Sequence, residues 1–406
     1  MKVLNIVGAR PNFVKMAPLL AAMQKSTVID PVLLHTGQHY DDQMSKVFFE
    51  NLGLSKPDIS LKCGGGSHAE QTAKIMLAIE PVLVENQIDL VVVVGDVNST
   101  LATSLVASKL GIPIAHIEAG LRSFDEEMPE EINRIVTDRL SSYLFTTCED
   151  AGQNLVNEGI DTSKIFFVGN LMIDSLIRMQ HESRASTIHS DLNIPENYGV
   201  VTLHRPSNVD FPKTLHQILD ALEVIQKDLA LIWPLHPRTK KAIEREGVKN
   251  RLEAMKNMTC ISPLSYLDNL ALMEKAKVVM TDSGGIQEET TVLKVPCLTL
   301  RENTERPVTI LQGTNQLVGV RRDDILEGYR KVPDVFPKAP PLWDGQAAGR
   351  IVQVLEEIAK RDQTPSSEVC RFGTAYTHGK AFDRHQKSSE ESGGLLPTSE
   401  DGRSLR

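Results

Sequence analysis

What the sequence lacks narrows its function first. No stretch approaches the ~20 consecutive apolar residues of a membrane span, although 41% of the 406 residues are hydrophobic. The opening run Lys2-Val3-Leu4-Asn5-Ile6-Val7-Gly8 is too short for a secretory leader and is cut off by Arg10-Pro11. A cytoplasmic protein with no membrane partner is expected. Cysteine is scarce: Cys63, Cys148, Cys260, Cys297 and Cys370 are five, dispersed, and form no C-x-x-C pair. Such a set excludes a disulfide framework. Cys148, Cys260 and Cys297 lie in apolar strand-like runs and read as ordinary core residues. H-E-x-x-H, Cys/His metal spacings and D-x-D are also missing, so no required metal is expected. Positive charge is short as well. Lys and Arg number 44 against 53 Asp and Glu, a net charge of −9. That balance argues against nucleic acid as a general partner. It leaves room for an anionic ligand wherever local Arg and Lys outweigh the whole.

What is present is alternation. Short apolar runs at 2–7, 32–36, 89–95, 112–117, 142–147 and 164–168 form one series of expected strands. Runs at 199–204, 229–235, 258–262, 277–281, 296–300 and 316–319 form a second. Helical stretches lie between them, at 12–24, 68–86, 98–110, 131–140, 212–227, 264–275 and 285–293. Runs such as Leu90-Val91-Val92-Val93-Val94 lack polar alternation, as strands of a parallel sheet buried on both faces do. The repeated strand–helix order predicts an α/β protein with two Rossmann-like, doubly wound parallel-sheet domains facing a cleft. The domain change is expected within 170–198, giving domains 1–172 and 173–344. A helix at 345–361 is expected to pack back on the first domain. Residues 362–406 are polar and read as a disordered tail.

The polar residues of interest follow strands, where ligands of open α/β sheets sit. After the first strand comes Gly8-Ala9-Arg10-Pro11-Asn12-Phe13-Val14-Lys15. Arg10 stands where a dinucleotide fingerprint needs its second glycine, so no nicotinamide cofactor is expected. Arg10 and Lys15 suit a phosphate or carboxylate instead. Thr281-Asp282-Ser283-Gly284-Gly285-Ile286-Gln287-Glu288-Glu289 offers bare backbone N–H groups at a helix start, with Ser283 adding a hydroxyl. Glu289, one turn in, is a candidate for a ribose diol. Arg306, in Arg301-Glu302-Asn303-Thr304-Glu305-Arg306-Pro307, is placed to reach the same phosphates. Asp96, Glu118 and the pair Glu130-Glu131 bring carboxylates to three strand ends, although Asp96 equally suits a cap for the helix near Asn98. His204-Arg205 and His236 end corresponding strands of the second series, and Gln38-His39 follows the second strand.

Together the motifs G-A-R-P-N-F-V-K (8–15), T-G-Q-H-Y (36–40), G-D-V-N-S-T (95–100), H-I-E-A-G-L-R (116–122), P-E-E-I-N-R (129–134), H-R-P (204–206), T-D-S-G-G-I-Q-E-E (281–289) and E-R-P (305–307) resemble the non-hydrolysing UDP-N-acetylglucosamine 2-epimerases, in order over residues 1–361. The resemblance implies a glycosyltransferase-B-like fold, a homodimer, and interconversion of UDP-N-acetylglucosamine and UDP-N-acetylmannosamine without a cofactor. It implies UDP binding by Arg10, Lys15, His204, Ser283, Gly284, Gly285, Glu289 and Arg306. It implies acid/base work by Asp96, Glu118 and Glu130. Gln38, Gln71 and Arg205 match positions that contact a second, activating UDP-N-acetylglucosamine in some relatives. Two departures stand out. The loop from Arg122 to Pro129 is short, which leaves Glu130 and Glu131 both open as the third carboxylate. Ser207-Asn208 replaces an acidic residue followed by asparagine.

The C2 hydrogen of such a sugar is not adjacent to a carbonyl. Epimerisation without a redox cofactor therefore implies elimination of UDP to a glycal and re-addition, with carboxylates flanking the ring. A modified UDP-sugar as substrate, a hydrolysing epimerase, a glycosyltransferase of the same fold and a nucleotide-sugar sensor are the competing readings.

Overall fold

The computed structural model describes residues 1–38, 52–332 and 339–363. His39, Tyr40 and the expected tail beyond 363 lie outside the described residues.

Two parallel sheets carry the fold. The first contains β1 (Lys2–Val7), β2 (Asp30–His35), β3 (Ile59–Ser60), β4 (Leu90–Val94), β5 (Ile114–Ile117), β6 (Tyr143–Thr146) and β7 (Ile165–Phe167), in the order β3-β2-β1-β4-β5-β6-β7. The second contains β8 (Tyr198–Thr202), β9 (Ala230–Pro234), β10 (Met258–Ile261), β11 (Val278–Thr281), β12 (Cys297–Thr299) and β13 (Asn315–Leu317), in the order β10-β9-β8-β11-β12-β13. In each sheet the winding reverses between two central strands, β1 and β4 or β8 and β11. A crevice opens at the carboxyl ends of such a pair. The turns after β4, β8 and β11 carry Asp96, His204 and Ser283, and Arg10 opens the helix that follows β1.

The valine run explains the layering. All five residues of β4 are buried. Leu90, Val92 and Val94 pack with Phe13, Met16 and Leu20 on one side. Val91 and Val93 pack with Leu4, Ile6, Ile79 and Val106 on the other. Full burial of each such side chain contributes roughly 1.5–3 kcal/mol before conformational entropy is charged.

The structure departs from the sequence reading in several places. The two-residue edge strand β3 and the helices Glu149–Asn157, Leu171–Ser183, Pro237–Arg245 and Arg322–Arg330 were not expected. The polar joint anticipated at 180–198 is partly helical, because Leu171, Met172, Leu176 and Met179 repeat at helical spacing and enter the first core. The same helix touches Tyr266–Glu274 and Gly284–Leu293 of the second half. The last helix runs Ala347–Gln363 and packs on Arg10–Met23 through Ala347, Ile351 and Leu355. Its first two N–H groups donate to Asp174 (3.1 and 2.8 Å). Trp343 pins the returning chain by donating its indole N–H to the Thr147 carbonyl at 2.8 Å. Cys260 is exposed on the edge strand β10 rather than in the core, while Cys148 and Cys297 are buried.

Candidate active site

The turn after β4 sets the first carboxylate. Gly95 has φ +67, and a Cβ there would lie 3.2 Å from Glu118 Oε2, so glycine admits both the turn and the neighbour. Asp96 follows. Its carboxylate accepts from Arg134 Nε (3.0 Å) and Nη2 (2.9 Å), so it does not cap the adjacent helix, whose N-cap is Val97. Asn133 fixes the Asp96 carbonyl at 2.8 Å. Glu118 ends β5 with φ +72, a left-handed conformation that side chains other than glycine seldom take.

A buried charge triad holds both turns. His116 Nε2 donates to the Gly95 carbonyl (2.9 Å) and its Nδ1 to Asp138 (2.6 Å). A carbonyl oxygen only accepts, so Nε2 carries a hydrogen. Burial alone would raise the Asp138 carboxyl, but His116 and Arg122 outweigh it and hold it low. Asp138 also takes the Gly120 N–H at 3.1 Å and Arg122 at 2.7 Å. Sequence reasoning missed His116 and Asp138, because neither stands at a strand end.

Glu118 is 5% exposed and bound on both sides. Lys15 Nζ donates to Oε2, and Arg306 Nη2 to Oε1 at 2.9 Å. Burial pushes this carboxyl up, but Lys15, Arg306 and Arg134 together bring it below its ordinary value. Arg306 faces two further carboxylates, Glu288 through Nε (2.7 Å) and Glu305 through Nη1. Glu305 in turn meets Arg301 at 2.9 Å and Arg205 at 3.8 Å. Arg306, Arg301, Arg134 and Arg205 overcome burial and keep Glu305 ionised. The knot therefore joins loops of both sheets, as does the hydrogen bond from Asn303 to Asp125 (3.1 Å). Glu288, Glu305, Arg301 and Arg134 were not singled out in sequence. Their traces there are the charges repeated at 288–289 and 301–306 and the arginine that closes P-E-E-I-N-R.

The second sheet supplies the other wall. Asp282 is fully buried and gathers the His204 N–H, the Arg205 N–H and His204 Nδ1 at 2.8–3.1 Å. It thereby aims His204, which stays 40% exposed in its side chain. His236 lies beside it, with ring centroids 5.6 Å apart. Burial, then His204, Arg238 and Arg10, lower the His236 ring against a pull from Asp282. Arg10, exposed at the first turn of its helix, thus acts on His236 of the second sheet. The helix Gly284–Leu293 begins after Ser283 with no side-chain cap and no acid in its first turn. A Cβ on Gly284 would sit 2.4 Å from Arg306 Nη1, whereas one on Gly285 would meet only the Met172 methyl at 3.2 Å. Glu289 is buried and accepts from the Tyr266 hydroxyl at 2.8 Å. Burial, opposed by that hydrogen bond and helped by Glu288, pushes its carboxyl up to about 7.

The two glutamates of the shortened loop differ in their partners. Glu131 is 1% exposed and accepts from the Ser123 N–H and hydroxyl, the Phe124 N–H and Arg134. The carboxylate of half-buried Glu130 has no hydrogen-bond partner among the described residues. Gln38 and Gln71 form a neighbouring cluster. Gln38 Oε1 accepts from the Ser99 N–H and hydroxyl (3.0 and 2.6 Å), and Gln71 takes Asn98 at 2.8 Å and donates to the Gln38 carbonyl at 3.3 Å. Asn98 also meets His68 and, at 3.5 Å, Asn133. Among the described residues no group of His, Cys, Asp or Glu is arranged to hold a metal ion, and no helix is long and apolar enough to cross a membrane.

Two doubly wound parallel sheets with strand-end loops knotted by arginines and carboxylates define a glycosyltransferase-B-like fold. The chain matches the family described as UDP-N-acetylglucosamine 2-epimerase over residues 21–356, and it belongs to that family. It is 43% identical over 362 residues to the UDP-N-acetylglucosamine 2-epimerase of Methanocaldococcus jannaschii, covering 87% of this chain and 99% of that one. It is 41% identical over 363 residues to the UDP-2,3-diacetamido-2,3-dideoxy-D-glucuronate 2-epimerase of Pseudomonas aeruginosa, covering 88% and 100%. The crystal structure of the M. jannaschii enzyme in complex with UDP-GlcNAc and UDP superposes with a TM-score of 0.82 at 42% identity, over 88% of this chain and 100% of that one.

Proposed function

We propose that this chain interconverts UDP-N-acetylglucosamine and UDP-N-acetylmannosamine by elimination and re-addition of UDP. The observation that supports it most is the buried knot of Lys15, Glu118 and Arg306, with Asp96 tied to it through Arg134. It sets a cationic grip for a diphosphate beside carboxylates for proton transfer. Arg10, Lys15, Arg306 and the N–H groups around Ser283, Gly284 and Gly285 hold the diphosphate. Glu289 takes the ribose diol, and His204 and His236 line the same wall. The C1–O bond breaks with its electron pair going to UDP. A carboxylate among Asp96, Glu118 and Glu130 removes the C2 proton, leaving a C1=C2 glycal. UDP oxygen then re-forms the bond at C1 while a carboxyl proton reaches the opposite face of C2. Charge stabilisation at the departing diphosphate is the larger contribution, and acid–base help supplies about 10²–10⁴-fold.

Gln38, Gln71 and Arg205 are proposed contacts of a second, activating UDP-N-acetylglucosamine, and His39 remains a candidate outside the described residues. A homodimer in the cytoplasm is proposed. Exposed Leu77 and Val84 on His68–Glu85, and Ile132 and Ile135 on Pro129–Leu140, offer it an apolar face. Domains 1–172, with the last helix, and 173–344 are the proposed moving bodies.

Asp96→Asn and Glu118→Gln test the assignment. Both are expected to bind UDP while losing at least about 10²-fold in turnover. Unchanged turnover in both contradicts it. The Pseudomonas relative favours one second reading, a 2-epimerase of a diacetamido uronic acid sugar. Turnover of that UDP-sugar alone, with none of UDP-N-acetylglucosamine, decides for it.

A further inference from the structure

Lys15 and Arg306, proposed above to hold the diphosphate, both donate to Glu118, one of the carboxylates proposed for proton transfer. Lys15, Glu118 and Arg306 have side chains only 7, 5 and 9% exposed. Glu118 is faced by Lys15 from the helix Arg10–Met23, Arg134 from Pro129–Leu140, Arg306 from the loop after β12 and Glu288 from Gly284–Leu293, whose own carboxyl is pushed up by burial and, against Arg306, by Glu118. Three cations thus surround it against one acid.

Arg306 itself is placed at an end of wrong sign. It abuts Gly284 at the start of a ten-residue helix, where the dipole favours an anion. That helix start has neither a side-chain cap nor an acid in its first turn. Independently, Glu288 Oε2 and Arg301 Nη1 are buried with no hydrogen-bond partner among the described residues, and both residues are more than nine-tenths buried. An anion between the helix start and Arg306 suits the dipole and competes directly with Glu118 for the guanidinium.

We propose that diphosphate binding itself switches Glu118 into a base: phosphate oxygens draw the Lys15 and Arg306 hydrogen bonds away, and Glu118 is left buried with fewer counterions. This rests on the diphosphate and acid–base roles proposed above. With both hydrogen bonds in place Glu118 is a neutralised, unreactive anion. After substrate arrives, burial dominates and proton affinity rises. Removing an opposite charge at ~4–6 Å moves a carboxyl by roughly 1–3 pH units. Proton abstraction is thereby confined to the complex that holds a leaving group.

Wild-type pH profiles test this without any variant. The acid limb of kcat/KM reports the free enzyme and that of kcat the complex. The kcat limb is expected roughly 1–3 pH units above the kcat/KM limb. Coincident limbs overturn the switch. Calorimetry identifies the group. UDP-N-acetylglucosamine, whose phosphates are diesters and carry no proton near pH 6, is titrated into the full chain in two buffers of different ionisation enthalpy. Proton uptake is expected in wild type and in Glu288→Gln, and its loss in Glu118→Gln. Binding without uptake in wild type, or uptake that persists in Glu118→Gln, overturns the switch alone. Absence of binding by the folded wild type overturns the underlying diphosphate assignment and the switch with it.

Discussion

At the scale of single residues, hydrogen-bond partners separate roles that sequence left open. Glu130 and Glu131 are adjacent acids in P-E-E-I-N-R, and nothing in their order tells them apart. Glu131 is consumed by the 123–124 loop and Arg134, whereas Glu130 is not. Glu130→Gln is therefore expected to lower turnover about 10²–10⁴-fold with an unchanged melting temperature. Glu131→Gln should instead cost roughly 3 kcal/mol of stability, since it leaves Arg134 short of a buried partner. Denaturant melts and initial rates on both variants check the split. Glu289 carries a second expectation. Its carboxyl is raised from an ordinary value near 4.5 to about 7. A raised carboxyl binds more protons folded than unfolded, so its contribution to stability falls as pH rises through 4.5–7. The span is on the order of 3 kcal/mol. Urea melts of wild type and Glu289→Gln across that window should show a slope in the first that is flattened in the second. The sequence announced Glu289 as a polar group at a helix start. It was silent on Tyr266, which comes 23 positions earlier and meets it only in the fold.

At the scale of elements, the central strands and their following loops were legible because parallel strands buried on both faces leave uninterrupted apolar runs. Edge elements were not. β3 has two residues and one exposed face, so no run marks it. The helix Leu171–Ser183 was hidden because its polar C-terminal end, His181-Glu182-Ser183, blends into the joint that follows. Loops that place Asp96, His204 and Ser283 could be found from the strands before them. Arg134 and Glu288 project from helix interiors, where no strand end marks them. The start of the helix Gly284–Leu293 shows how an element constrains chemistry. Gly284→Ala sets a methyl 2.4 Å from Arg306 Nη1, whose guanidinium is held by three carboxylates. It is expected to weaken UDP binding by about tenfold or more, the worth of one charge-assisted hydrogen bond to phosphate. Gly285→Ala meets only a flexible methionine methyl and should bind UDP nearly as wild type. Titration calorimetry on the pair compares them; equal affinities would remove Arg306 from the phosphate site.

At the scale of the whole molecule, two sheets reverse their winding where their loops meet, and one charge network crosses between them. Lys15 and Glu118 come from the first half, and Arg306, Glu305 and Glu288 from the second. The grip is divided between the halves while the acids come from the first, which is why no single motif carried the assignment and the ordered set did. The crossing ion pairs themselves were invisible in sequence, because 188 positions separate Glu118 from Arg306. The central claim is that this network removes and returns a proton at C2 while UDP departs and rejoins. Its most direct test is incubation of the purified chain with UDP-N-acetylglucosamine in D₂O, without added metal or nicotinamide, followed by proton NMR. The account predicts UDP-N-acetylmannosamine with deuterium at C2 of the sugar. Epimer that keeps its C2 hydrogen, or free N-acetylmannosamine released with UDP, would contradict it.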